Sequence, residues 1–96
     1  MRRSEVMALL HAHRDELRQY GVQSLALFGS VARDEASTNS DVDVLVEFDG
    51  APTSSRYFGL LFFLEDLLGR RVDLVTARAL RAELRESVER ERVHVA

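Results

Sequence analysis

The stretch Leu25-Ala26-Leu27-Phe28-Gly29-Ser30, followed after ten residues by Asp41-Val42-Asp43-Val44-Leu45-Val46, decides how this chain folds. Leu25 to Phe28 is apolar on both faces, as in a strand buried within a sheet, so Val22 to Phe28 reads as a strand ended by Gly29-Ser30. Val42 to Phe48 reads as a second strand with a clear alternation. Val42, Val44, Val46 and Phe48 share one face, and Asp41, Asp43, Leu45 and Glu47 the other. A short helical turn through Val31-Ala32-Arg33 and a polar loop, Asp34 to Ser40, join the two.

Working outward, Ser4 to Tyr20 has Val6, Leu9, Leu10 and Leu17 at helical spacing, with Gly21 as a stop, and is expected to be one amphipathic helix. Asp49-Gly50-Ala51-Pro52 is a turn. Ser54 or Ser55 is placed to cap a helix running to Leu68, with Gly69 behind it. Arg71 to Val75 reads as a third strand, with Val72 and Leu74 on one face and Asp73 on the other. Thr76 is placed to cap a last helix carrying Leu80, Leu84 and Val88, and Val93-His94-Val95 reads as a final edge strand. Helices alternating with short apolar strands predict an α/β (α+β) domain, a sheet with helices packed on it, spanning 1–96 as a single unit. The strand order is not encoded in this pattern.

Composition narrows the function. The hydrophobic fraction of 46% is that of a soluble globular protein. No apolar run approaches the roughly 20 residues that span a bilayer, so no membrane association is expected. Cysteine is absent, which removes disulfides, zinc ribbons and thiol catalysis and suits a reducing cytoplasm. The net charge of −3 argues against direct binding of nucleic acid through its phosphates. All 13 basic residues are arginine, so P-loop and Schiff-base lysines are excluded.

Three aspartates carry the chemistry. Residues two apart on a strand lie on one face with Cα atoms about 6.5–7 Å apart. Asp41 and Asp43 at that spacing can converge on two metal ions, which in two-metal sites stand about 3.5–4 Å apart. Without cations, like charges so placed repel one another. Hard oxygen ligands suit two Mg²⁺ ions, or Mn²⁺. Asp73, charged inside a short apolar strand, joins them if its strand lies beside Val42 to Phe48. Gly29 lets backbone approach a ligand closely. The amides that follow, with the Ser30 hydroxyl, form an anion site. Arg33, one turn on, is placed to neutralise a triphosphate or its leaving pyrophosphate.

Each feature has a plainer reading. Asp-x-Asp is commonly a solvated edge, Gly-Ser a turn, and Asp73 or Arg33 a surface charge. Together, Gly-Ser and Asp-x-Asp at one fixed offset arise by chance in roughly one chain of this length per thousand. His11, His13 and His94 lack any nucleophile arrangement and read as structural or surface residues. The helix from 54 to 68 is apolar over most of its circumference, which fits a central core helix or a partner surface. Gly59 within it points to close helix–helix packing.

The run Leu25 to Arg33, the ten residues after Gly29-Ser30, and Ser40 to Val46 closely resemble the minimal nucleotidyltransferases of the DNA polymerase beta-like superfamily. The likeness continues through Leu64 to Val75 and the Arg/Glu-rich last helix. It implies a mixed β-sheet flanked by helices. It implies further that Ser30 contacts triphosphate, that Asp41 and Asp43 bind the metals, and that Asp73 completes the site and helps activate the attacking hydroxyl. Stand-alone proteins of this kind look like the antitoxin of a toxin–antitoxin pair. Such an antitoxin transfers AMP from ATP to a tyrosine of its partner, a HEPN-domain ribonuclease toxin. Asp34 stands where relatives often carry glycine, and Thr38 where many carry proline. The rival readings are a nucleotidyltransferase with a small-molecule or RNA acceptor, and an antitoxin that neutralises by contact alone with a vestigial site.

Overall fold

A computed structural model describes residues 2–35, 40–51, 53–77, 79 and 93–95. Helices α1 (Arg3–Ala12) and α2 (Arg14–Gln19) lead into strand β1 (Val22–Phe28). A single helical turn, α3 (Gly29–Ala32), and strand β2 (Val42–Phe48) come next. Helix α4 (Ser54–Leu68), strand β3 (Val72–Thr76) and the short strand β4 (Val93–His94) complete the order. The sheet runs β3-β2-β1-β4. β1 is antiparallel to both β2 and β4, whereas β2 and β3 are parallel. The sheet is therefore mixed, as expected, and Val93-His94 lies at its edge.

The period-two pattern of β2 sorts its side chains as the sequence implies. Val42, Val44, Val46 and Phe48 join Leu25, Leu27, Val72 and Leu74 in one buried cluster. Helices supply the other side of that cluster: Val6, Leu10 and Leu17 from α1 and α2, and Leu60, Leu64 and Leu68 from α4. Each such side chain contributes about 1.5–3 kcal/mol by leaving water. Ala26 and Leu45 are also buried, but on the opposite face and outside the cluster.

Three local expectations need correction. The N-terminal helix is broken at His13, whose backbone leaves helical geometry with φ −110° and ψ 22°. The His13 ring Nδ1 lies 2.8 Å from the Leu9 carbonyl oxygen, and a side chain inserted into the hydrogen-bond ladder bends a helix. Second, α4 is capped by Thr53 rather than by Ser54 or Ser55; its Oγ1 accepts from the Arg56 N–H at 3.2 Å. The helix ends at Gly69, which adopts φ +63°. Third, Gly59 makes room for an aromatic ring. A Cβ there would stand 3.1 Å from Tyr20 Cε1, and that ring packs against Phe63 with centroids 5.3 Å apart.

On α4, Leu60, Leu64 and Leu68 are buried, and Tyr57, Leu61, Phe63 and Leu67 are half-buried against the core. Phe58 and Phe62 are the exceptions, 50% and 63% exposed and stacked on one another. Thr76 Oγ1 accepts from the Ala79 N–H at 3.2 Å, the bond of a helix N-cap. The last helix expected beyond it, with Leu80, Leu84 and Val88, lies outside the described residues, as does Thr38.

Candidate active site

Asp43 is the centre of the site. It stands on β2 directly opposite Phe28 of β1 and Asp73 of β3. Register partners on adjacent strands are about 4.8 Å apart, so Asp43 and Asp73 face solvent side by side from the same surface of the sheet. Asp41, two residues before Asp43, shares that surface. Asp43 is half-buried, while Asp41 and Asp73 are exposed.

Their proximity has an electrostatic signature. The Asp43 carboxyl is raised from 3.8 to about 6, first by burial, then by the negative charges of Asp73 and Asp41, with Arg33 opposing. The other three predicted charged residues therefore act on Asp43. The parallel pairing of β2 with β3 satisfies the condition under which Asp73 joins the other two. Among the described residues, however, no three His, Cys, Asp or Glu side chains are gathered tightly enough to hold an ion as they stand. Without a cation, mutual repulsion opposes closer approach of the carboxylates.

The donor set fits a hard divalent cation, and the backbone beside it fits close approach. β1 ends at Gly29, which adopts φ +71°. A Cβ built on Gly29 would overlap Asp43 Oδ2. Gly29 thus brings the strand end into contact with the carboxylate, which no side-chain-bearing residue could do without displacing it. Ser30 and Val31 follow in the first turn of α3, where amides lack partners within the helix. Buried Val31 and Ala32 fix this turn on the core.

Arg33 is placed less simply than expected. Its Nε donates to Glu35 Oε2 at 3.1 Å, so its charge is shared with a neighbour as well as with Asp43. Of the residues that shape this turn, the sequence reading marked Asp34 and missed Arg3. Asp34 adopts φ +60°, and its Oδ1 accepts from the Arg3 N–H at 3.1 Å. Arg3 also donates through Nη1 to the Ala32 carbonyl at 3.1 Å. The start of α1 thereby ties down the turn that follows Gly29-Ser30. The substitution of aspartate at a position typical of glycine was the available signal.

Among the described residues, a pocket lies away from these carboxylates. A cavity of about 330 Å³ is lined by Val46, Glu47, Phe48, Gly50, Ala51, Thr76 and Ala77, at the other end of β2. No helix among the described residues is long and apolar enough to cross a membrane.

Residues 10–95 match the family model described as the nucleotidyltransferase domain. This chain belongs to the nucleotidyltransferase domain family. It is 44% identical over 92 residues to the protein adenylyltransferase MntA of Thermococcus cleftensis, covering 95% of this chain and 93% of that one. A solved structure described as a candidate minimal nucleotidyltransferase superposes with a TM-score of 0.85 at 40% identity, over 97% of this chain and 95% of the other. A chain from the complex of a tri-AMPylated Shewanella oneidensis HEPN toxin with its MNT antitoxin superposes with a TM-score of 0.68. That match has 22% identity over 94% of this chain and 71% of the other, a likeness of fold. The chain is a nucleotidyltransferase of α/β fold.

Proposed function

We propose that this nucleotidyltransferase is an antitoxin that moves AMP from ATP to a hydroxyl, most simply that of tyrosine, on a HEPN-type ribonuclease toxin. The observation that carries the reading is the in-register pair Asp43–Asp73 with the Gly29 backbone against it. The 44% identity with a named protein adenylyltransferase supports the adenylyl group and the protein acceptor. The fold shared with an antitoxin bound to an AMPylated HEPN toxin supports the partner class.

Asp41, Asp43 and Asp73 would hold two Mg²⁺ ions, or Mn²⁺. Those ions would supply charge neutralisation for the triphosphate and acidify the acceptor hydroxyl, whose free pKa near 10 for tyrosine leaves it protonated at neutral pH. The chain's own groups do the rest. Gly29 admits the phosphates to the strand end, and the Ser30 hydroxyl with the first amides of α3 orients them. Arg33 balances charge on the departing pyrophosphate. Asp73, exposed beside Asp43, takes the acceptor proton. The bond from acceptor oxygen to α-phosphorus forms while the bond from that phosphorus to the bridging oxygen breaks, and pyrophosphate leaves. The exposure of Asp41 and Asp73 suits an acceptor as large as a folded protein.

Intact-mass spectrometry of a co-expressed HEPN partner tests this. A gain of one or more AMP units with the wild-type chain, absent with Asp41→Ala/Asp43→Ala, is the expected result. Tight complex formation with no mass gain would favour neutralisation by contact, and the transfer reading would be withdrawn. Incorporation into RNA or a small molecule instead would move the acceptor class.

A further inference from the structure

We propose that Tyr57 and Glu65, both on α4, are positioning residues that clamp the backbone of β3 on either side of Asp73 and so hold that carboxylate beside Asp43. The Tyr57 hydroxyl donates to the Leu74 carbonyl oxygen at 2.6 Å. Glu65 Oε2 accepts from the Val72 N–H at 3.1 Å. These are the backbone groups of the two residues that flank Asp73. The inference rests on the assignment of Asp73 to the transfer site.

β3 needs such a clamp because of its place in the sheet. Among the described residues it is the outermost strand on its side and pairs with β2 alone. The ladder uses alternate residues: Val42 N–H donates to the Arg71 carbonyl at 2.9 Å, and Ala77 N–H to the Val46 carbonyl at 3.1 Å. Val72 and Leu74 therefore direct their N–H and C=O groups to the free edge, where an edge strand is prone to slip or fray. Tyr57 and Glu65 are eight residues apart, about 12 Å along a helix, whereas Val72 and Leu74 are about 6.5 Å apart along a strand. Two long side chains reaching inward from opposite ends of α4 close that difference. Because α4 is anchored in the core by Leu60, Leu64 and Leu68, it fixes β3 against sliding along β2. A slip of one residue would turn Asp73 to the core face. A smaller shift would separate it from Asp43.

Five variants test the clamp: Tyr57→Phe, Glu65→Ala, Glu65→Gln, and the first two repeated in Asp73→Ala, which serves as their reference. Two readouts are made on the whole chain, Mn²⁺ affinity by electron paramagnetic resonance without nucleotide, and AMP transfer to the partner. Tyr57→Phe and Glu65→Ala should each weaken Mn²⁺ binding and slow transfer about five- to tenfold, with little change in the KM for ATP. Glu65→Gln keeps an oxygen acceptor and should lie within about twofold of wild type. In the Asp73→Ala background neither change should weaken Mn²⁺ binding further, because the group they act through is gone. Wild-type affinity and rate in Tyr57→Phe and Glu65→Ala would overturn the clamp while leaving the transfer reading intact. So would equal losses with and without Asp73, or a Glu65→Gln as impaired as Glu65→Ala. Conversely, a wild-type chain that transfers nothing, yet shows the expected Mn²⁺ pattern, would overturn the transfer reading and keep the clamp.

Discussion

The Gly29 backbone lies against the Asp43 carboxylate so closely that a Cβ at position 29 would overlap Asp43 Oδ2. One contact thus joins the two halves of the site, the turn that would receive phosphate and the strand that would hold cations. It also explains why glycine ends β1. Position 29 must be bare and must adopt φ +71°.

Gly29→Ala should accordingly lose on two counts. The left-handed backbone disfavours alanine by about 1–2 kcal/mol, and the added methyl displaces Asp43 from its place opposite Asp73. We expect a destabilisation of that size in urea unfolding, together with loss of most AMP transfer. Wild-type stability and rate in Gly29→Ala would show that the contact is not a constraint.

The raised Asp43 pKa, about 6 against 3.8, sets a pH dependence for the metal-free chain. Folding favours the protonated form of this carboxyl. The stabilisation is fully present below pH 3.8 and is lost as pH rises through about 6. Because the side chain is only half-buried, the effect should be discounted to about 1 kcal/mol. Asp43→Asn, neutral at every pH, should melt about 4–8 °C above wild type at pH 7.5 without divalent cations, and the gap should close at pH 4. Added Mg²⁺ should stabilise wild type and not Asp43→Asn. A wild-type chain that gains stability between pH 4 and pH 7 relative to Asp43→Asn would contradict the charge arrangement.

Asp34 gives a third test. Its φ of +60° is unfavourable for a residue with a Cβ, though aspartate tolerates it better than most. The hydrogen bond from the Arg3 N–H offsets the rest. Asp34→Gly should relieve the backbone and lose the bond, a net change within about 0.5 kcal/mol. Asp34→Ala keeps the strain and loses the bond, and should be destabilised by about 2 kcal/mol. Equal stability of the two variants in urea unfolding would refute this division.

What was legible in the sequence followed from local periodicity. The alternation of Val42 to Phe48 assigned Asp43 to the face opposite the core, because a half-buried strand leaves a period of two. Glycines at 21, 29 and 69 marked ends, because those positions need positive φ. What was hidden depended on contacts between distant segments. No local pattern states that β3 lies parallel to β2, although this brings Asp73 to Asp43. The break at His13 comes from a ring bonding to its own helix, which helical spacing does not register. The choice of Thr53 over Ser54 or Ser55 as cap is decided by where the chain enters α4, and all three residues have the chemistry for it. The grip of Tyr57 and Glu65 on β3 was likewise invisible, since it joins side chains to backbone across a turn.

Gly59 supplies the last prediction. Glycine inside a helix is ordinarily worse than alanine by about 1 kcal/mol, so Gly59→Ala would be a stabilising change on helix propensity alone. Here the new methyl would meet Tyr20 Cε1 at 3.1 Å. The Tyr20 ring packs against Phe63, with centroids 5.3 Å apart, so its displacement would disturb that contact. The expected gain should therefore vanish, leaving Gly59→Ala within about 0.5 kcal/mol of wild type. Tyr20→Ala removes the obstacle, and in that background Gly59→Ala should recover a gain of about 1 kcal/mol. Urea unfolding of the four proteins measures the coupling directly. Equal effects of Gly59→Ala with and without the Tyr20 ring would mean that the glycine serves something other than this contact.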